Sequence, residues 1–502
     1  VRGYAVVEAP LPMSNLWTRK PLEQLLSEAQ GSESGLRRTL GAGSLIALGI
    51  GAIIGAGLFV RTASAAAYAA GPSVTFGFVL AAVGCAFAGL CYAELASMIP
   101  IAGSAYTYSY ATMGELVAWI IGWDLVLEYA IGAATVSIAW SEYFNKLLGL
   151  FGAGIPYGFC HSPFQTDAAT GAHGIVNLPA LFILLMLTLL LIRGIQESAT
   201  VNAVIVVLKV TIVILIIVLG WGFISPANHT PYIPPAGEIT DKLGVVHDYG
   251  GWKGIVGAAG IVFFAFIGFD AVSTAAQETK NPKRDMPIGI LGSLAVCTVL
   301  YVLFAHVLTG LAPVDFFRNA GSEASVVKAI DVFMPGYRWL SDSVTVAILG
   351  GFSSVILVML LGQSRVFYTM SRDGLVPAIF SDVHPRHKTP YKANWVFFGF
   401  TGLFAAFIPE DVVGNMTSIG TLFAFILVCI GVWVMRVKEP GAKREFRVPA
   451  VQVVSILGVL SCGLMIFGLG WTNWSRLGVW LAVGLVVYFL YGIKHSKLRR
   501  RA

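Results

Sequence analysis

From residue 42 onward the chain is written in long apolar runs, each closed by a short stretch of charged, glycine or proline residues. A helix needs ~20 consecutive apolar residues to cross the hydrocarbon core of a bilayer. By that measure the pattern predicts twelve spans, over residues 42–70, 73–99, 114–146, 177–195, 197–224, 252–279, 287–312, 341–370, 393–409, 411–435, 450–471 and 474–493. The expected fold class is an all-α polytopic membrane protein with 12 transmembrane helices.

Two spans break the pattern. In the first, GAIIGAGLF at 51–59 sets Gly51, Gly55 and Gly57 in the middle of the run, and neither half, 42–54 or 58–70, is long enough to cross alone. An interior glycine costs about 1 kcal/mol relative to alanine in a helix, so three of them make local unwinding cheap. One reading is close helix packing through small residues. The other is an unwound turn, which at membrane depth survives only beside a cavity or inside protein. Its free carbonyls and half-helix N-terminus would then suit an ammonium and a carboxylate, the pair an α-amino acid presents. In the sixth span FFAFIGFD at 263–270 repeats this logic, with Gly268 followed by a carboxylate. Interruptions five spans apart imply two halves of opposite orientation, a 5+5 inverted repeat with helices 1 and 6 broken, and a transport site between the breaks.

Composition places the chain outside the soluble class: it is 56% hydrophobic and 12% charged, with mean hydropathy +0.77, against ~25% charged residues in soluble domains. The six cysteines, Cys85, Cys91, Cys160, Cys297, Cys429 and Cys462, fall singly, so neither a zinc site nor a disulfide framework is expected. No metal-ligand cluster, nucleophile elbow or phosphate loop lies among the spans, so an enzyme, a cofactor and a nucleic-acid partner are not expected. The stretch before Met13 has no apolar core of signal-peptide length, so no cleaved leader is expected.

Charge sets the orientation. With the N-terminus inside, most of the 33 Lys and Arg fall on cytoplasmic segments, chiefly in three groups. These are Lys280, Lys283 and Arg284; Arg436, Lys438, Lys443, Arg444 and Arg447; and Lys494, Lys497, Arg499, Arg500 and Arg501. The last reads as a solvated basic tail. The expected organisation is a cytoplasmic tail 1–41, a transporter core 42–435, two accessory spans in 436–493 and a basic tail 494–502, in the plasma membrane. Among the outer segments, 150–176 carries His161, Asp167 and His173 without ligand spacing. Asn228-His229-Thr230 matches a glycosylation sequon. Residues 314–340, with Phe316, Phe317, Ile330, Phe333 and Trp339 among charges, suit a short interfacial helix.

Several stretches closely resemble the amino acid/polyamine/organocation transporter superfamily and, within it, bacterial relatives of the cationic amino acid transporters. Besides the two breaks, they are CYAELASMIPIAGSAYTYSYATMGE at 91–115, GWDLVLEY at 122–129, QETKNPKRDMPIGI at 277–290 and SRVFYTMSRDGLVP at 364–377. The resemblance covers about residues 36–495. It implies a five-helix inverted repeat with two accessory spans, an L-amino-acid substrate, and proton-linked uptake or exchange, the proton being the coupling ion. In sodium-coupled relatives span five and the first break help form a cation site, and the resemblance implies that the Lys209 amine takes that ion's place. Arg61 departs from the pattern, which usually has an apolar residue there; it either faces an outer vestibule or snorkels to the outer interface.

The candidate site follows. Substrate would rest on backbone around Ile53, Gly55, Ala56 and Gly57 and around Phe264, Ala265 and Ile267, with Ser353, Ser354 and Met359 of span eight closing the pocket. A lysine at the depth of Lys209 costs roughly 2.5–3.5 kcal/mol to insert, and burial disfavours its charged form, so it is the candidate proton-coupling group. Asp124 and Glu128 share one face of span three. Glu128, the deeper, either meets the distal end of a cationic substrate or serves structure. Glu94 and Asp270 read as braces near cytoplasmic helix ends, with Arg365 a partner for one of them. A channel or a non-transporting sensor, and uniport, symport or exchange, stay open alternatives, as does a small membrane-protein partner.

Overall fold

Helices account for nearly all regular structure in the computed structural model, which describes residues 16–22, 25, 40–99, 104–167, 170–194, 199–241, 244–270, 272–273, 279–320, 325–444 and 446–501. The long helices are α1 (Ala42–Ile53), α2 (Val74–Met98), α3 (Glu115–Leu150), α4 (Leu178–Ile192), α5 (Ala199–Gly220), α6 (Gly251–Val262), α7 (Pro282–Leu311), α8 (Arg338–Arg372), α9 (Tyr391–Phe407), α10 (Glu410–Lys438), α11 (Val451–Gly468) and α12 (Trp471–Val487). Among the described residues eight helical runs are long and apolar enough to cross a membrane. The chain is a multi-pass membrane protein. Arg37, Arg38 and Gln277 lie outside the described residues.

Local signals explain the ends. The Asn177 side chain accepts a hydrogen bond from the Ala180 N–H at 3.2 Å and, with Pro179 in the first turn, starts α4. Pro282 and Asp285 open α7, where a missing N–H costs nothing and a negative charge meets the helix dipole. Glu410 and Asp411 do the same for α10.

Several expectations change. In the sixth span α6 tightens into a single-turn 3-10 segment, Phe263–Phe266, ahead of the break, and 271 and 274–278 lie outside the described residues. The chain is not purely α, because Gly237–Thr240 pairs antiparallel with Val246–Tyr249. The segment 314–340 is helical over Val314–Ala320 and Ser325–Phe333, with 321–324 outside the described residues. The sequon asparagine is engaged, its amide donating to the Gly310 carbonyl at 2.8 Å.

Two buried clusters hold the end that carries the chain termini. Glu94 on α2 takes both a bidentate pair from Arg436, at 2.7 Å to each oxygen, and Arg444 at 3.2 Å. The brace assigned to Glu94 therefore exists, with Arg436 and Arg444 as its partners. Arg499 is not part of a solvated tail: it is 3% exposed and donates to Glu115 at 2.7 Å, beside Tyr488 and Tyr110, whose hydroxyls each reach Glu115 at 2.9 Å. A charge taken from water needs a partner, and the first acid of α3 supplies it.

Candidate functional site

Both breaks occur at the glycines. α1 stops at Ile53, Ile54 turns extended (φ −72°, ψ 104°), and helix resumes with a wide π-type turn, Gly57–Arg61. At the second break Ile267 is extended (φ −59°, ψ 135°) and Gly268 takes φ +112°, a conformation open to glycine and strained for other residues. A Cβ built on Gly57 would lie 2.2 Å from the Ala265 Cα, and one on Gly268 would lie 2.9 Å from the Ala52 carbonyl oxygen. The breaks thus meet backbone to backbone, which only glycine permits. Ile53, Gly55, Ala56, Gly57, Phe264, Ala265 and Ile267 are all buried at this junction.

Unwinding frees polar groups, and their partners are specific. Among the described residues the N–H groups of Gly55 and Ala56 have no backbone acceptor; next along, Leu58 N–H returns to the Gly55 carbonyl at 3.2 Å. The Gly51 carbonyl accepts from Lys209 Nζ at 2.8 Å, and the Ile53 carbonyl from the Tyr301 hydroxyl at 3.1 Å. Lys209 reaches there from α5 by lying across α8, its Cε 2.6 Å from where a Gly351 Cβ would be. Ile54, Phe59, Ile212, Ala347, Ile348 and Phe352 enclose it, and it is 3% exposed.

α3 supplies acids. Its helix widens by one π turn at Leu127–Ile131, which contains Glu128; such bulges cluster at functional sites. The Glu128 carboxyl faces Asp270, Asp124 and the Thr421 hydroxyl, and neither of its oxygens makes a well-formed hydrogen bond. Asp124 is also fully buried, against Gly420 of α10. Asp270 lies at the second break. Its carboxylate accepts from Tyr129 at 3.2 Å and belongs with Glu128.

The span-eight residues divide. Val355, absent from the predicted set, sits against Gly55, its Cγ2 3.3 Å from a Cβ built there. Met359, one turn on, covers Gly132, one turn past Glu128, with Sδ 3.2 Å from a Cβ there. Ser353 faces elsewhere, accepting from Trp140 Nε1 at 3.1 Å; Ser354 is buried. Arg61 neither snorkels nor faces open water. It is fully buried and binds Glu410 at 3.2 Å, Asp411 at 3.1 Å and Asn415, all from the first turns of α10. Ser64 adds a 2.9 Å hydrogen bond to Asp411. A signal existed in the sequence: a buried arginine needs carboxylates, and Glu410-Asp411 opens the tenth span. The π turn and Tyr301 had none.

Residues 40–489 match the family model described as "Amino acid permease". The chain is 44% identical over 97% of its length to the branched-chain amino acid permease BcaP of Bacillus subtilis (strain 168), covering 99% of that protein. It is 42% identical over 97% of its length to the methylthioribose transporter of the same organism, all of which is covered. With cationic amino acid transporter 4, vacuolar, of Arabidopsis thaliana it shares 34% identity over 85% of this chain and 68% of that one.

Proposed function

The chain belongs to the amino acid permease family, and from that premise we propose that it is a proton-coupled transporter of amino acids working by alternating access. In this reading ten spans build the core of 42–435 as two inverted five-helix repeats, with two accessory spans in 436–493 and both termini on the cytoplasmic side of the plasma membrane. The observation that carries it is the 2.8 Å hydrogen bond from Lys209 Nζ to the Gly51 carbonyl. A titratable amine holds the end of α1 beside the junction where the breaks meet. Proton binding there changes the charge next to the unwound turn, and so biases which side of the membrane the broken helices open to.

The substrate's carboxylate would take the N–H groups of Gly55 and Ala56, and its ammonium the carbonyls around Ile53, Phe264, Ala265 and Ile267. Its side chain would run toward Met359 and Glu128. A thioether at that end limits length, and a buried carboxyl favours a cation or a small neutral residue over an acidic one. The relatives are named for branched-chain amino acids, cationic amino acids and methylthioribose, so side-chain selectivity is the part that needs measurement.

The test is counterflow in proteoliposomes loaded with alanine, leucine, lysine, glutamate or methylthioribose. The reading predicts exchange with amino acids and rejection of glutamate. Exchange with methylthioribose alone overturns the amino-acid assignment, and binding without exchange overturns transport in favour of a sensor.

A further inference from the structure

The two hydrogen bonds that hold α1 open at its break come from chemically different donors. Lys209 offers an amine that can gain or lose a proton, Tyr301 a neutral phenol hydroxyl. Tyr301 is also placed with unusual definition. It is fully buried on α7, its ring 5.3 Å from that of Phe266 in the second break and 5.6 Å from Phe78 on α2, with Phe78 and Phe266 themselves 6.2 Å apart. Three rings in mutual contact leave the phenol one orientation. Its oxygen then meets the Ile53 carbonyl at 3.1 Å.

Tyr301 therefore touches both discontinuities at once, the second through its ring and the first through its hydroxyl. A peptide oxygen has two lone pairs. Occupying one from α7 fixes the plane of the Ile53 peptide and leaves the other for a donor on the opposite side. That donor, where the breaks meet, is the ammonium of a bound amino acid.

We propose that Tyr301 is a positioning residue for the substrate's α-amino group, acting through the Ile53 carbonyl and independently of proton coupling. The inference rests on the transport reading above and adds a division of labour to it. Lys209 holds the Gly51 carbonyl and senses protons, while Tyr301 holds the Ile53 carbonyl and sets affinity for the α-amino group that all substrates share.

Tyr301→Phe keeps the ring cluster and removes the hydroxyl. In proteoliposomes KM should rise by roughly three- to tenfold, the worth of one neutral hydrogen bond. The same factor should apply to alanine, leucine and lysine, with maximal rate and response to a pH gradient unchanged. Tyr301→Leu, which also removes the ring, should lower thermal stability and maximal rate as well, separating the packing role from the positioning one. An unchanged KM in Tyr301→Phe overturns the inference, as does a loss confined to one side-chain class or a lost pH response. A parent protein that carries no amino acid overturns the transport reading and this inference with it. Parent transport with an unaltered Tyr301→Phe overturns this inference alone.

Discussion

Lys209 and Arg61 are both buried basic side chains against the first broken helix, 3% and 0% exposed, yet their partners differ in kind. Arg61 is set against two carboxylates and an amide from α10, whereas Lys209 donates to a backbone carbonyl. Guanidinium does not deprotonate in proteins, and its fork suits carboxylates; a lysine amine shifts its protonation readily when buried. One cation therefore fastens the helix after the break to α10 in a fixed charge state. The other holds the helix before the break through a backbone carbonyl, and under the proposed function that contact is the one a proton would change.

The largest expected effect follows from breaking the brace. Arg61→Ala leaves Glu410 buried without its cation, a change that costs about 3–5 kcal/mol. It should appear as a marked fall in melting temperature of the detergent-solubilised protein. A melting temperature equal to the parent's would show that water or a neighbour already compensates Glu410. Lys209→Met, by contrast, keeps the stem that lies over Gly351 and should change stability by less than about 1 kcal/mol.

Next comes the junction between the breaks. Gly57→Val must push against backbone at Ala265, 2.2 Å from a Cβ, and should abolish substrate binding while the remaining bundle stays helical. Binding assayed on protein that passes size exclusion checks it; normal affinity would mean that the breaks move apart freely and do not form the site. Gly55→Leu, whose Cβ meets Val355 at 3.3 Å, should weaken binding by filling the site while tolerating the backbone.

A smaller, selective effect is expected at Glu128. If its carboxyl meets a cationic side chain, Glu128→Gln should weaken lysine binding by about 2 kcal/mol or more, over tenfold, and alanine binding far less. Equal losses for both would assign Glu128 to structure with Asp270 and Asp124.

Much of this arrangement was legible in the chain. Three glycines within an apolar run and Gly268 before Asp270 marked both breaks, because glycine is where unwinding is cheap and where backbones approach. The depth of Lys209 marked it as needing a partner inside the protein, which the Gly51 carbonyl supplies. What escaped depends on distance in sequence. Nothing local shows that Asp270 faces Glu128, which lies on another helix. Arg499 looked solvated because a basic terminus usually is, and its partner Glu115 lies far upstream. The π turn at Leu127–Ile131 arises from packing against α8 and α10 and has no compositional mark. Tyr301 reads as one aromatic among many until its hydroxyl is seen on Ile53.

The central claim is that a proton on Lys209 sets the conformational equilibrium, and Lys209→Met in proteoliposomes tests it most directly. Amino-acid uptake is followed with the inside held near neutral pH while the outside is acidified stepwise. The account predicts that the parent accelerates with the gradient, and that Lys209→Met still exchanges amino acid across the membrane but no longer responds to it. A Lys209→Met protein that keeps the parent's full gradient response would contradict the claim and move proton coupling to another group, with Glu128 and Asp124 first in line.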